Sequence, residues 1–152
     1  MNKHVFGRKL SRSRPAREAL FSSLIRALIL SGKMETTRAK AKAVQGEVEK
    51  MVTLAKKGSL SGRRKVLAKL DNDRKVCDLL FQKVAPAFIS RSSGFTRIVH
   101  LSVRRGDAAQ MVRMEWTEKV DMAPKKEVKP EKKAKAVKSK EVKKLTKGKE
   151  KA

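Results

Sequence analysis

The apolar residues of this chain change their spacing near Gly94, and this change constrains the fold more than any other feature. Before Gly94, apolar residues recur at intervals of three and four, which is typical of helices that bury one face. After it, the runs 95–101 and 109–117 alternate between apolar and polar residues, which indicates two strands. A Gly-containing stretch joins the two runs and predicts a hairpin. Helices followed by strands predict a two-layer α+β domain.

Start and stop signals divide the helical part into about four predicted helices, each with a capping or stop residue of the expected type. Their boundaries, in chain order, are Ser13 with Pro15 to Gly32, Thr36 or Thr37 to Gly58, about Gly62 to Leu70, and Asp71 or Asn72 to near Pro86. A short strand at 33–36 completes a three-stranded sheet, which we expect to be mixed. Cys77 lies among apolar residues and is predicted to be a small core residue.

Charge divides the chain into three parts. Forty Lys and Arg against fifteen Asp and Glu give a formal net charge of +25. We predict a basic N-terminal arm over 1–17, a folded body over 18–122, and a Lys-rich tail of net charge +9 over 123–152. The tail contains no aromatic residue, Ile, Met or Cys, so it has too little apolar surface to offset the entropy of folding. We expect it to be disordered.

A net charge of this size calls for a polyanion, either a nucleic acid or an anionic membrane surface. The longest apolar stretch, 19–30, is short and contains Arg26, so we expect no membrane-spanning segment. We expect no signal peptide either, and a mitochondrial presequence is disfavoured because motif-like residues continue through the Arg-rich start. One Cys and two distant His form neither a disulfide framework nor a zinc site. We therefore predict a cytoplasmic protein without a metal or a cofactor.

Groups that could perform catalysis are few. The carboxylates of Asp71, Asp73 and Asp78 fit helix capping better than a metal cluster. His4 and His100 fit phosphate-facing or surface positions better than catalytic ones. The chain also lacks a glycine-rich phosphate-binding loop. We predict no enzymatic activity and no small-molecule substrate.

Cations cluster at four places. The arm segment 7–14 carries a cation at nearly every second position, with small hydroxylated residues between, and an extended backbone of this kind could follow a row of phosphates. Cations also lie early in the second and third predicted helices, where the positive helix end disfavours them unless an anion binds. Arg97 and the Arg104, Arg105 turn would lie at one end of the hairpin. The candidate nucleic-acid contacts are Lys3, His4, Arg8, Lys9, Arg12, Arg14, Arg17, Arg38, Lys40, Lys42, Arg63, Arg64, Arg97, Arg104 and Arg105.

The four clusters together favour a nucleic-acid partner over a merely solvated surface. No aromatic platform of the RNA-recognition-motif type and no helix-turn-helix signature is present. This pattern suits folded RNA recognised by its shape and its phosphates. A histone-like protein that binds nucleoid DNA is the alternative, because residues 133–140 resemble a linker-histone tail.

Three stretches resemble the bacterial large-subunit ribosomal protein family numbered seventeen. They are 7–10 with Arg17 and the helix start at 19–20, 34–37 with 39–42, 49–50 and 53–56, and 94–98 with the turn at 104–109. The match runs in consistent order over residues 3–118. Ser11 stands where the family pattern has Gly, and Ala16 stands where it has His.

This resemblance implies a compact α/β domain with three strands and a basic N-terminal arm. It implies a structural constituent of the large subunit that holds ribosomal RNA near the nascent-chain exit, beside neighbouring large-subunit proteins. The resemblance implies no catalytic activity, no metal and no cofactor. The RNA-facing positions of the family fall on Lys3, Arg8, Lys9, Arg12, Arg17, Lys40, Lys42, Arg97, Arg104 and Arg105.

Overall fold

Four helices pack on one face of a three-stranded sheet in the computed structural model, which describes residues 7–120. The predicted α+β class is confirmed. The predicted tail at 123–152 and the first six residues of the arm lie outside the described residues.

Helix α1, Arg14–Ser31, begins with Pro15 in its first turn, where the missing N–H breaks no helical hydrogen bond. It therefore starts inside the segment that the sequence predicts as the arm. Gly32 ends α1 in a left-handed conformation (φ 73°), and its N–H donates to the carbonyl of Leu28 at 2.9 Å. Strand β1, Lys33–Thr37, follows directly, at the position predicted for the first strand.

Helices α2, Arg38–Lys57, and α3, Leu60–Lys69, form a close pair. Gly58 ends α2 as predicted, with φ 63°. The third helix begins two residues earlier than its predicted start at Gly62. A Cβ on Gly62 would lie 3.2 Å from the carbonyl oxygen of Leu54 in α2, so the absence of a side chain there allows the two helices to approach each other.

Helix α4, Arg74–Leu79, is capped by Asp73, whose side chain accepts a hydrogen bond from the N–H of Val76 at 3.2 Å. The predicted cap, Asp71 or Asn72, is wrong. Both residues have left-handed backbone conformations (φ 52° and 61°) in the loop before the helix. The carboxylate of Asp71 accepts a hydrogen bond from the Ser22 hydroxyl of α1 at 2.8 Å instead.

A π-helical turn, Leu80–Val84, and a last α-helical turn, Ala85–Ala87, continue α4 without a break. In the π turn, the N–H of Ala85 donates to the carbonyl of Leu80, five residues earlier. The wider turn comes immediately before Pro86, which has no N–H to donate. After this segment, Phe88 lies in the core, where the centroid of its ring is 5.3 Å from the centroid of the Phe95 ring.

The sheet contains β1, β2 (Thr96–Val103) and β3 (Gln110–Trp116) in the spatial order β1-β3-β2. Both neighbouring pairs are antiparallel, so the expected mixed sheet is wrong, while the predicted hairpin of β2 and β3 is confirmed. Met114 of the central strand lies opposite Met34 and Ile98. The long connection between β1 and β3 is compatible with either strand direction, so it does not dictate the antiparallel pairing that the structure has.

The core lies between the helices and one face of the sheet. Its largest fully buried side chains include Phe88, Phe95, Leu28, Ile29 and Met114. Cys77 is buried and unpaired, as predicted. No helix within residues 7–120 is both long and apolar enough to cross a membrane, and these residues hold no cluster of metal-ligating side chains. Among these residues, no helix covers the opposite face of the sheet, where Glu35, Arg97 and Val99 are exposed.

Candidate nucleic-acid interface

The arm is described from Gly7 onward, so Lys3 and His4 lie outside the described residues. Residues 9–12 form a turn, in which the N–H of Arg12 donates to the carbonyl of Lys9 at 3.1 Å. Leu10 and Ser11 occupy left-handed conformations with φ of 52° and 51°. The expectation of an extended arm is therefore wrong for this segment, although Arg8, Lys9 and Arg12 remain exposed.

The first turn of α2 borders a groove of about 460 Å³. Arg8 of the arm, Arg38 and Lys42 of α2, and Gln110 of β3 line it. The guanidinium of Arg38 donates to the Gln110 side-chain oxygen at 3.0 Å, which joins the helix start to the sheet. Three cations from two distant parts of the sequence thus share one concave surface. Lys40 does not line this groove.

The amide end of α2 has no anionic partner within the helix. Thr37 occupies the N-cap position but makes no side-chain capping hydrogen bond, and the first turn contains no acidic residue. The free N–H groups and the helix dipole therefore add positive potential at the groove that Arg38 and Lys42 line. This arrangement favours the binding of an anion.

The two arginines of α3 have different surroundings. Arg63 is half-buried, forms an ion pair with Asp78 of α4, and lies over the Phe81 ring at 5.4 Å. Arg64 is exposed and has no ion pair among residues 7–120. We conclude that Arg63 stabilises the packing of α3 against α4, while the charge of Arg64 is exposed to solvent.

The hairpin also places its arginines differently from the prediction. Arg97 lies opposite Glu115 and pairs with it at 2.6 Å, near the end of the sheet away from the turn. Arg104 and Arg105 lie at the turn itself, so the expectation that all three share one end of the hairpin is wrong. The physical reason is strand length, because the residues from Arg97 to Arg104 extend along nearly the whole of β2.

Asp107 fixes the hairpin turn. Its carboxylate accepts hydrogen bonds from Arg104 at 3.0 and 2.5 Å and from the N–H of Ala109 at 3.3 Å. The Arg104 hydrogen bond, followed by the Ala109 N–H, lowers the pKa of Asp107 to about 2 from an ordinary value of 3.8. Arg105 has no ion pair within the described residues, so it is the turn cation that is free for a partner.

The predicted contact residues therefore divide into two groups. Those in ion pairs with carboxylates are Arg14, Arg63, Arg97 and Arg104. Those without a carboxylate partner among residues 7–120 are Arg8, Lys9, Arg12, Arg17, Arg38, Lys40, Lys42, Arg64 and Arg105. Sequence reasoning missed Gln110, which has no distinguishing signal in the sequence and joins the groove only through the pairing of β3 with the start of α2.

Fold and surface together define a small basic α+β domain. Within residues 7–120, its predicted contact cations without a carboxylate partner are spread over the arm, the first three helices and the hairpin turn. Residues 20–117 match the family model described as Ribosomal protein L17. The chain belongs to the ribosomal protein L17 family.

Individual relatives agree with this assignment. The large ribosomal subunit protein bL17 of Symbiobacterium thermophilum is 47% identical over 107 residues, which cover 70% of this chain and 94% of that protein. The protein of the same name from Persephonella marina is 46% identical over 122 residues, covering 80% of this chain and 98% of the relative. That of Campylobacter lari is 43% identical over 109 residues, covering 72% and 92%. The predicted family is therefore confirmed.

Proposed function

We propose that this ribosomal protein is a structural constituent of the large subunit that binds large-subunit ribosomal RNA through phosphate and shape contacts. The name shared by its relatives, large ribosomal subunit protein bL17, supports the proposal that this chain belongs to the large subunit. The observation that carries RNA binding is the groove at the start of α2, where Arg8, Arg38 and Lys42 surround an uncapped helix end.

A backbone phosphate suits this groove better than a nucleobase does. Helix N–H groups, a guanidinium and an ammonium all donate hydrogen bonds to anionic oxygens, and such charge-assisted bonds are stronger than neutral ones. Contacts of this kind position a protein on RNA without reading its sequence. Recognition would then depend on where the folded RNA places its phosphates.

The aromatic side chains argue against recognition by base stacking. Between residues 7 and 120, the Phe and Trp side chains all belong to the core or pack against it. No exposed ring is therefore available in this part of the chain to stack on an unpaired base. Phosphate and shape contacts remain as the mode of binding.

Within the described part of the chain, the predicted contact cations without a carboxylate partner form the proposed RNA surface. The contact cations that are in ion pairs contribute less to RNA binding, because a carboxylate already neutralises each of them. Lys3 and His4 belong to the proposal through the arm. In the same proposal, 1–17 is the RNA-binding arm, 18–122 the folded body and 123–152 a tail that adds nonspecific attraction to polyanions. The protein acts in the cytoplasm, near the nascent-chain exit and beside other large-subunit proteins, and it catalyses no reaction.

The alternative is a histone-like DNA-binding protein, which the Lys-rich composition of the tail favours. Sedimentation of cell extracts separates the two. We expect the chain to sediment with large ribosomal subunits at moderate salt and to be released by RNase but not by DNase. Release by DNase together with the nucleoid would overturn the proposal.

Direct binding provides the second test. The full chain should bind a transcript of large-subunit ribosomal RNA more tightly than duplex DNA of equal length at the same salt concentration. Equal affinity for both would show that its charge alone drives binding. Cross-linking of the chain to a peptide held in the exit of stalled ribosomes tests the proposed location.

A further inference from the structure

Strand β2 is an edge strand with free main-chain groups. In the part of the chain that the structure describes, it has β3 on one side and no strand on the other. The N–H of Thr117 donates to the carbonyl of Phe95 at 3.0 Å, which fixes the alternation of hydrogen bonds between β2 and β3. Arg97 and Val99 then exchange hydrogen bonds with β3. The main-chain groups of Thr96, Ile98 and His100 face outward.

These outward groups have no hydrogen-bond partner among the described residues. An exposed edge is a template for pairing with another strand, and proteins usually block it with Pro, Lys or a charged side chain pointing inward. β2 contains neither Pro nor Lys. A bulge between His100 and Val103 interrupts the ladder only at the far end of the strand.

Two exposed apolar side chains lie along this edge. Val99 is 39% exposed and Val103 is 56% exposed. Both lie on β2, whose length of eight residues exceeds the five of β1 at the other edge of the sheet. Exposed apolar residues beside unpaired main-chain groups are typical of a site that accepts an extended peptide.

The charges around the edge make a polyanion a poor partner for it. On the uncovered face of the sheet, Arg97 is paired with Glu115 at 2.6 Å and Arg113 with Glu35 at 3.2 Å. RNA approaching this face would therefore meet guanidinium groups that carboxylates already neutralise, and Lys33 is the one Lys or Arg of the three strands that has no carboxylate partner among residues 7–120. A second copy of the chain is also disfavoured, because two molecules of net charge +25 repel each other.

We propose that the free edge of β2 docks an extended segment of a neighbouring large-subunit protein, which adds a fourth strand to the sheet. The segment pairs its main chain with Thr96, Ile98 and His100 and places apolar side chains beside Val99. The inference rests on the proposed function, since it requires the chain to lie in the large subunit. It gives the protein two different surfaces, a cationic one for RNA and a neutral edge for protein.

Site-specific photo-cross-linking tests this proposal. The full chain carries benzoylphenylalanine in place of Val99, or of Val103 in a second variant, and is produced in cells. Large subunits are isolated and irradiated. We expect a cross-link to one large-subunit protein that survives RNase, identified by mass spectrometry. A cross-link that RNase removes, a cross-link to a second copy, or none from either position would overturn the inference.

A Pro substitution distinguishes strand addition from mere proximity. H100P removes an outward N–H without breaking the ladder to β3, whereas H100A retains that N–H and serves as the matched control. Loss of strand pairing should lower the cross-linking yield about fivefold or more in H100P, as expected for at least one lost hydrogen bond. H100A should keep the original yield, and equal yields in the two variants would contradict strand addition. Absence of the unsubstituted chain from large subunits would instead overturn the proposed function, and this inference with it.

Discussion

Removal of two cations from the α2 groove tests the proposed RNA surface. Arg38 and Lys42 line the groove beside the uncapped helix end, and neither is paired with a carboxylate among residues 7–120. The double variant R38Q/K42Q keeps side chains of similar length and removes two positive charges. Both residues are exposed, so the core should remain intact.

The expected magnitude follows from counterion release. Each phosphate contact contributes about 0.7 to 0.9 to the slope of log K against log salt, so loss of two contacts should lower the slope by about 1.4 to 1.8. Between roughly 50 and 200 mM salt, this difference changes the ratio of the two affinities by about tenfold. The original chain should therefore have its largest advantage over the variant at low salt.

Fluorescence anisotropy with a labelled transcript of large-subunit ribosomal RNA measures the two slopes. The matched control is K50Q/K69Q, which removes the same formal charge from two lysines that pair with Glu47. We expect the control to have nearly the slope of the original chain, and circular dichroism to show the same helix content in all three. If the two double variants have equal slopes, net charge rather than the groove controls binding, and the reasoning is refuted.

Four further predictions concern the hairpin turn, the core and the cap of α4. R105A should weaken binding to ribosomal RNA about fivefold or more in mobility-shift assays, and R104A less, because Asp107 already holds Arg104; the reverse order would contradict this division. Because the folded-state pKa of Asp107 is lowered, the contribution of its carboxylate to stability is complete above about pH 4 and is lost as the pH falls through about 2. NMR titration of Asp107 should show a midpoint near 2, and this midpoint should return towards 3.8 in R104Q. Truncation in F88A should reduce the free energy of unfolding in urea by about 3 to 5 kcal/mol, since the ring is fully buried, and a loss below 1 kcal/mol would contradict its place in the core. D73A should cost about 1 to 2 kcal/mol in the same assay, whereas D73N, which can still cap α4, should cost less.

Most helix ends were predictable because one residue type satisfies their geometry. Gly32 and Gly58 end their helices in the left-handed conformation that glycine adopts without strain. The cap of α4 was not predictable in this way, because three polar residues compete at 71–73. A contact between Ser22 and Asp71, 49 residues apart, removes one competitor. Asn72 has a left-handed conformation (φ 61°) that does not suit an N-cap, which leaves Asp73 to cap the helix.

Strand direction also depended on distant contacts. The alternation in β2 and β3 predicted their hairpin, but nothing near Lys33–Thr37 shows which way this strand runs beside β3. Its partner lies more than seventy residues further along the chain, so only the packing of the helices decides the direction.

The sequence predicts which cations belong to the candidate surface, but it does not predict which of them are in ion pairs. The sequence identifies the cations, but the ion pairs of Arg63 with Asp78 and of Arg97 with Glu115 arise from tertiary contacts. The pair of Arg104 with Asp107 spans three residues and could have been inferred from the turn. In the arm, the turn at 9–12 was not predictable, because Leu10 and Ser11 are residue types that seldom adopt the left-handed conformation they have here (φ 52° and 51°).

The π turn at Leu80–Val84 makes this segment more tolerant of a lost residue than of a gained one. Such a turn is equivalent to one residue inserted into an α-helix. Deleting Gln82 would therefore restore ordinary helical winding and keep Phe88 close to its place beside Phe95 and Trp116. Inserting one residue into the regular turns of α4 would instead rotate everything after it by about 100° around the helix axis and remove Phe88 from that place.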